Sequence, residues 1–184
     1  MSDKAIKELI RDRGGIQLDI GCGHNKQGPD WVGMDVQDLP GVDVVHDFNI
    51  HPWPLPDESC IRAICSHVIE HIPPVAISDK RGTWFPFLEF MNEVWRVLKP
   101  DGQFAIALPH GNSQGQLQDP THVNWNNENT WLYFDPLENK TGGSLYPFYR
   151  PKPWKIERTY FDPTANMEVL LTKRREDKSY YGEK

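Results

Sequence analysis

The chain has 184 residues, of which 38% are hydrophobic and 25% charged, and this size and composition are typical of one globular domain. It contains no run of about 18 apolar residues, so we expect no membrane partner. Its formal net charge of −6 argues against stable nucleic-acid binding, which needs clustered Lys and Arg. The three cysteines follow no regular spacing and the N-terminus shows no apolar stretch, so we expect a cytoplasmic protein without a signal peptide.

The predicted elements alternate between helices and strands. An amphipathic helix over residues 2–13 comes first, and Gly14 and Gly15 end it. Four short apolar strands follow, at residues 16–20, 31–36, 42–46 and 61–65. The clearest helix spans residues 85–98, and a fifth strand spans residues 103–108. This order predicts an α/β fold with a mostly parallel sheet.

The last third of the chain has a different character. Residues 110–153 are rich in Trp, Tyr, Asn and Pro, and a segment this long without periodicity is usually a lid or substrate insertion. Residues 154–161 and 167–173 then predict an antiparallel hairpin. The basic run at residues 173–175 predicts a solvated strand end rather than a phosphate site.

The aromatic residues of the 110–153 segment have two interpretations. They form either a stacking surface for a flat acceptor or a small core of the segment itself. These residues are Trp125, Trp131, Tyr133, Phe134, Tyr146, Phe148 and Tyr149.

Side chains suited to one ligand follow the predicted strands, and in an open α/β sheet ligands bind at the carboxyl ends of the strands. Gly21 and Gly23 follow the first strand, where missing side chains let a ligand approach the backbone. Asp35 lies at the end of the second strand, where a carboxylate can accept both hydroxyls of a ribose. Asp47 and Phe48 follow the third strand, suited to an adenine amino group and an adenine face.

The fourth strand ends at Ser66 and His67, near the expected amino-acid end of such a ligand. A nicotinamide-binding turn would need a third glycine where this chain has Lys26. A nicotinamide oxidoreductase is therefore disfavoured. The sequence also lacks the G-x-x-x-x-G-K-[ST] motif of phosphate-binding NTPases.

Five segments resemble the motifs of class I S-adenosylmethionine (SAM)-dependent methyltransferases: residues 18–23, 32–35, 46–49, 66–72 and 94–102. The resemblance implies a single Rossmann-like domain over residues 1–184. It also implies a seven-stranded, mostly parallel sheet of order 3-2-1-4-5-7-6 with an antiparallel last strand.

The same resemblance implies SAM as cofactor and S-adenosylhomocysteine as product. Asp19 in this family anchors the loop and the methionine amino group. We predict that eight residues hold the cofactor: Asp19, Gly21, Gly23, Asp35, Asp47, Phe48, Ser66 and His67.

Methyl transfer depends mainly on alignment, and an acceptor that loses a proton needs a base, most often His. We predict His71 and His122 on the acceptor side. With His67 and Glu70 they also form a candidate four-ligand metal site, because residues i, i+3 and i+4 of a helical turn share a face. This arrangement is similar to small-RNA 2′-O-methyltransferases, which hold a divalent metal through an E-x-x-E-H run and a later His. Here His67 replaces the first Glu, which favours a helix cap at residues 70–71 over a metal.

The sequence therefore predicts methyl transfer from SAM to an O or N acceptor on a small molecule or an exposed polymer group. One alternative is a noncatalytic SAM-binding or protein-interaction module. Another is a metal-assisted RNA ribose O-methyltransferase. The identity of the acceptor, the presence of a metal and the oligomeric state stay open at this point.

Overall fold

The structure is a computed structural model that describes residues 3–138 and 151–181. Its strands are β1 (Ile16–Ile20), β2 (Trp31–Asp35), β3 (Val44–Val45), β4 (Cys60–Ser66), β5 (Ala76–Ser78), β6 (Gly82–Trp84), β7 (Leu98–Pro109), β8 (Trp154–Phe161) and β9 (Asn166–Lys173). Its α-helices are α1 (Asp3–Arg13), α2 (Pro86–Val97), α3 (Gln114–Leu117) and α4 (Glu128–Leu132), and short 3-10 helices span Ile69–His71 and Lys178–Tyr181. Within the described ranges, no helix has both the length and the apolar character needed to cross a bilayer.

Seven strands form one sheet in the order β3-β2-β1-β4-β7-β9-β8. The first five are parallel to one another, whereas β9 is antiparallel to both of its neighbours. Strands β5 and β6 pair only with each other. Counted within the large sheet alone, the order is 3-2-1-4-5-7-6 with an antiparallel last strand. The predicted fold class is confirmed.

Two strands have boundaries that the sequence pattern does not predict. Strand β3 holds two residues instead of the predicted 42–46, and Asp43 before it binds Gly33 of β2 through both its backbone N–H and its side chain. Its carboxylate accepts from the Gly33 N–H at 2.9 Å and from Lys26 Nζ at 2.7 Å. Strand β7 starts at Leu98, five residues early, because Leu98 is already extended and pairs with Cys60. The β5–β6 hairpin has no counterpart among the predicted elements.

The core lies between α2 and the parallel strands. Phe90, Met91 and Val94 on α2 are at most 1% exposed, and they face strand residues such as Leu18 and Met34 that are fully buried. Each such side chain contributes roughly 1.5–3 kcal/mol through burial. This packing fixes α2 against the sheet and leaves the carboxyl edge of the sheet for a ligand.

A buried carboxylate ties α2 to the loop before β4. Glu93 Oε1 accepts from the Trp53 N–H and from Arg96 Nη2, both at 2.6 Å. Burial raises the pKa of Glu93, but the hydrogen bonds from Arg96 and Trp53 outweigh it and hold the pKa below its usual value. Arg96 also donates to the Leu55 carbonyl at 3.0 Å. The loop is therefore anchored to the helix by charge-assisted hydrogen bonds.

Two residues of the basic run at 173–175 are packed into the fold, so the prediction of a solvated strand end is wrong for Lys173 and Arg174, whereas Arg175 is exposed. Lys173 is 3% exposed, and its Nζ donates to the Leu98 carbonyl at 2.7 Å and lies 3.9 Å from the Trp95 ring centroid. This burial lowers the pKa of Lys173. Arg174 pairs with the buried carboxylate of Asp135 at 3.1 Å. These two cations hold the final hairpin in place.

Candidate functional site

The turn after β1 brings bare backbone to the carboxyl edge of the sheet. Gly21 has φ +69°, and a Cβ there would lie 2.3 Å from Cγ2 of Val68, so no larger residue fits. Gly23 has φ +51°, and no described atom lies within 4 Å of the position that its Cβ would take. The turn therefore rests on Val68 at one glycine and offers open backbone at the other.

Asp35, at the end of β2, binds this turn directly. Its Oδ2 accepts from the Gly23 N–H at 2.9 Å, and its Oδ1 accepts from the Gln37 N–H at 2.9 Å. The side chain is half-buried. Each carboxylate oxygen has two lone pairs, so capacity for two further donors remains. The structure thus holds a rigid carboxylate against the glycine turn.

Asp19 lies beneath the same turn and is 3% exposed. Its Oδ2 accepts from the Gln27 N–H at 2.9 Å, which closes the loop between β1 and β2. Burial raises the pKa of Asp19 despite that hydrogen bond and the positive charge of Lys26. Its position agrees with the loop-anchoring role that the resemblance implies.

Asp47 and Phe48 lie beside Asp35 at the same edge, because the His46 N–H donates to the Asp35 carbonyl at 2.8 Å. Asp47 Oδ1 accepts from the N–H and the Nδ2 of Asn49, at 2.9 and 3.1 Å. The half-buried Phe48 ring packs edge-on against Phe90, with centroids 5.9 Å apart. An oriented carboxylate and a partly exposed ring therefore follow β3.

Ser66 ends β4 and His67 follows it, and because β4 pairs with β1 they lie next to the glycine turn. His67 has a left-handed backbone, with φ +55°. Its Nδ1 lies 3.2 Å from Glu70 Oε1, and this hydrogen bond raises the pKa of His67. His67 therefore pairs with the carboxylate of Glu70, the residue before His71.

The structure brings His71 and His122 together although they are 51 positions apart in the sequence. Their ring centroids are 4.7 Å apart. Glu70 joins them, with one ligand atom of each residue within 4.8 Å of the others. The N–H groups of Val123 and Asn124 donate to the Glu70 carbonyl at 2.8 and 3.0 Å, which fixes the 110–153 segment to the 3-10 helix.

The predicted four-ligand set and the predicted helix cap both need correction. Among the described residues, the cluster that could hold a metal contains Glu70, His71 and His122 without His67. The 3-10 helix has no hydrogen bond from a capping side chain. Glu70 is instead fully buried, and one of its carboxylate oxygens lies within 4.8 Å of a ring nitrogen of each histidine.

Solved structures of other proteins share the fold of this chain. No protein-family model and no curated protein matches the sequence. A SAM-dependent methyltransferase from Archaeoglobus fulgidus superposes with TM-score 0.56 at 16% identity, covering 94% of this chain and 95% of that chain. One from Aquifex aeolicus gives TM-score 0.53 at 16% identity, covering 94% and 99%. The chain has the fold of the SAM-dependent methyltransferases.

Members of this methyltransferase fold differ in what they methylate. A variant of the 16S rRNA (adenine(1408)-N(1))-methyltransferase from Catenulisporales acidiphilia also matches, with TM-score 0.57 at 12% identity, covering 96% of this chain and 93% of that chain. The fold therefore defines where ligands bind, and the acceptor must be argued from this chain's own residues.

The groups that orient His71 and His122 were not predicted from the sequence. Thr121 Oγ1 lies 3.0 Å from His71 Nδ1 and 2.7 Å from Asp119 Oδ1. The Gly115 carbonyl lies 3.1 Å from His122 Nδ1. A backbone carbonyl leaves no signal in a sequence. The short Asp-Pro-Thr-His run at residues 119–122 was the one available sign.

The described aromatic residues of the 110–153 segment differ in burial, and the buried ones join the main hydrophobic core rather than a small core of the segment itself. Trp131 and Phe134 are at most 2% exposed and belong to the core. Trp125 is 61% exposed and borders a cavity of about 490 Å³ that Tyr133 also lines. The others, Tyr146, Phe148 and Tyr149, lie outside the described residues.

Proposed function

We propose that the protein is a SAM-dependent methyltransferase that acts on an O or N acceptor of a small molecule or an exposed polymer group. The hydrogen bond from the Gly23 N–H to the Asp35 carboxylate, at 2.9 Å, carries this proposal. It joins the turn after β1 to the end of β2, the place where an open α/β sheet binds its ligand. The fold supports the same assignment.

The residues at this edge fit an adenosyl ligand. The open space at Gly23 admits a ligand to the backbone, and the remaining lone pairs of Asp35 suit two neighbouring ribose hydroxyls. Asp47 suits the adenine amino group, and the half-buried Phe48 ring suits an adenine face. Asp19 braces the loop from below.

Ser66 and His67 complete the proposed cofactor set at the end of β4. When bound, SAM supplies a methyl group attached to a sulfonium sulfur. The sulfur is the leaving atom, and it departs with the electron pair of its bond to the methyl group. Little remains for the protein to do except to align the acceptor lone pair with that methyl group and exclude water. We assign this task to His71 and His122. His71 lies in the 3-10 helix after β4, and His122 lies in the 110–153 segment, where its ring contacts that of His71.

We assign acceptor binding to the 110–153 segment, described here over residues 110–138 and 151–153. Its backbone amides at Val123 and Asn124 bind the Glu70 carbonyl, so it covers the chain that follows β4. The cavity of about 490 Å³ between this segment and the start of α2 has aromatic walls that suit a flat acceptor.

Free, buried cysteines at positions 22, 60 and 65 suit a reducing compartment, and we propose the cytoplasm.

Thermal unfolding in the presence of ligands tests the proposal. At about 100 times its Kd, S-adenosylhomocysteine is expected to stabilise the chain by about 2.7 kcal/mol, which raises Tm by roughly 5–10 °C. NAD at the same concentration should leave Tm unchanged, because Lys26 replaces the third glycine of a dinucleotide turn.

Two other results of these ligand and transfer experiments would count against the proposal. No shift with either SAM or S-adenosylhomocysteine would contradict the proposal. A shift with both, but no transfer of labelled methyl to any acceptor in a broad panel of phenols, amines and RNA, would favour the noncatalytic SAM-binding module instead.

A further inference from the structure

The cluster of Glu70, His71 and His122 has the composition and spacing of a metal site. One ligand atom from each lies within 4.8 Å of the other two. Ligands about 2.1 Å from a tetrahedral ion lie about 3.4 Å from one another. The three atoms therefore need to approach by about 1.4 Å at most, which side-chain rotation provides.

Glu70 gives an independent sign that a cation belongs here. Its side chain is fully buried, and Oε1 lies 3.2 Å from His67 Nδ1. The other oxygen, Oε2, is buried and has no hydrogen-bond partner among the described residues. A buried carboxylate oxygen without a partner is costly, and buried charges in proteins are paired or bind metals. A cation beside the two imidazoles would satisfy this atom.

The tautomer of His122 is fixed in the form that a metal requires. Its Nδ1 lies 3.1 Å from the Gly115 carbonyl. A carbonyl only accepts hydrogen bonds, so Nδ1 carries the proton and donates it. The lone pair of the neutral ring is then on Nε2. Histidines that bind metals are oriented in this way, by donating their other N–H to a carbonyl or a carboxylate.

His71 is fixed in the same tautomer through two hydrogen bonds in series. The Thr121 hydroxyl lies 2.7 Å from Asp119 Oδ1, and it donates there because an ionised carboxylate only accepts. Thr121 Oγ1 must therefore accept from His71 Nδ1, at 3.0 Å. Nε2 of His71 is left with the lone pair. The Gly115 carbonyl and the Thr121–Asp119 pair thus orient the two imidazoles, and Asp119 Oδ2 also lies 3.7 Å from His122 Nε2.

We propose that Glu70, His71 and His122 bind one divalent transition-metal cation of the Zn²⁺ and Co²⁺ type. Two imidazoles and one carboxylate suit first-row transition metals better than Mg²⁺ or Ca²⁺, which prefer oxygen ligands only. His71 is exposed, so a cation can enter from solvent. Three protein ligands leave a coordination position open.

The site also refines the proposed function, on which this step rests. Two of its residues, Glu70 and His71, lie just after β4. They follow Val68, which lies against the glycine turn. The open position then binds an oxygen or nitrogen of the methyl acceptor and lowers its pKa. In this arrangement His71 and His122 would hold the cation that positions the acceptor, and the acceptor's proton would pass to solvent water rather than to either ring.

Binding of Co²⁺ to the full chain, stripped of metal by a chelator and without SAM, tests the inference directly. We expect one equivalent of Co²⁺ to bind with visible ligand-field absorption and a measurable heat. The variants Glu70→Gln and His122→Ala should each weaken binding by at least about 100-fold, since loss of an outer hydrogen-bond partner alone costs about 10- to 100-fold. Thr121→Val, which removes only such a partner, should weaken it about tenfold.

His110→Ala is the matched control, because His110 lies in the same segment but pairs with Glu128 at 3.2 Å. It should bind Co²⁺ as the unchanged chain does. Gln at position 70 keeps an oxygen that can accept the hydrogen bond from His67 Nδ1, so a cooperative thermal transition of metal-free Glu70→Gln near the Tm of the unchanged chain separates lost binding from lost folding.

Two outcomes would overturn the metal site: no absorption band and no heat with the unchanged chain, or equal Co²⁺ affinity in Glu70→Gln, His122→Ala and the unchanged chain. Both are independent of the proposed function, which the S-adenosylhomocysteine shift measures. A chain that binds S-adenosylhomocysteine but not Co²⁺ rejects the metal site alone. A chain that binds Co²⁺ but neither adenosyl compound supports the metal site and rejects methyl transfer.

Discussion

Replacing Asp35 by alanine is expected to weaken S-adenosylhomocysteine binding about 100-fold. The carboxylate receives the Gly23 and Gln37 N–H groups, which hold it rigid, and its remaining lone pairs are assigned to two ribose hydroxyls. Hydrogen bonds to a charged group contribute about 1.5–3 kcal/mol each. A loss of about 3 kcal/mol corresponds to about 100-fold in Kd, which isothermal titration calorimetry measures directly.

The control for this change is Asp30→Ala. Asp30 precedes the opposite end of the same strand, where its exposed carboxylate pairs with Arg13 at 3.2 Å. Its removal should leave the affinity unchanged, since exposed ion pairs contribute little. If Asp35→Ala bound S-adenosylhomocysteine as tightly as Asp30→Ala, the ribose assignment would be wrong.

Gly21→Ala is expected to lower the free energy of unfolding by about 3 kcal/mol. A non-glycine residue at φ +69° costs about 1 kcal/mol, and a Cβ placed 2.3 Å from Cγ2 of Val68 forces a rearrangement that costs about 1–3 kcal/mol more. Val68 is 7% exposed and has little room to move. Urea unfolding at equilibrium measures the change through its midpoint.

Gly14→Ala isolates the steric part of that loss. Gly14 has the same φ of +69°, but no described atom lies within 4 Å of its Cβ position. It should lose only about 1 kcal/mol. Equal losses in the two variants would mean that Val68 yields freely and that the turn is not fixed by this contact.

The contact between Gly21 and Val68 also connects the two halves of the proposed site. Gly21 belongs to the cofactor side, and Val68 directly precedes the 3-10 helix that carries Glu70 and His71. A displacement of the turn is therefore transmitted to the acceptor side through a packed side chain. We expect cofactor and acceptor residues to depend on one another for their positions.

The gathering of the proposed cofactor residues at one edge was predictable from sequence because a parallel sheet collects strand ends there. Gly21, Asp35 and Asp47 follow three different strands, and the pairing of those strands brings them together. The length of β3 was not predictable. At Asp43, just before β3, the backbone N–H donates to the Gly33 carbonyl while the side chain accepts from the Gly33 N–H, a contact that no strand pattern predicts.

The acceptor side depends on contacts that a sequence pattern does not record. His71 and His122 meet because backbone amides of the 110–153 segment bind the Glu70 carbonyl. Their tautomers depend on Thr121 and on the carbonyl of Gly115. The burial of Glu70, which favours a cation over a helix cap, likewise appears only in three dimensions.

Lys173 was misjudged for a related reason. A run of three basic residues is usually solvated, since charged side chains lose hydration when they are buried. Here the Trp95 ring and the Leu98 carbonyl replace that hydration, and both are distant in sequence. A local charge pattern carries no information about such partners.

The crystal structure of the chain with S-adenosylhomocysteine tests the central claim most directly. The account predicts that both ribose hydroxyls bind the Asp35 carboxylate, that the ligand backbone crosses the open face of Gly23, and that the sulfur points toward His71 and His122. Density for the ligand at any other edge of the sheet, or ribose hydroxyls out of hydrogen-bond reach of Asp35, would contradict it.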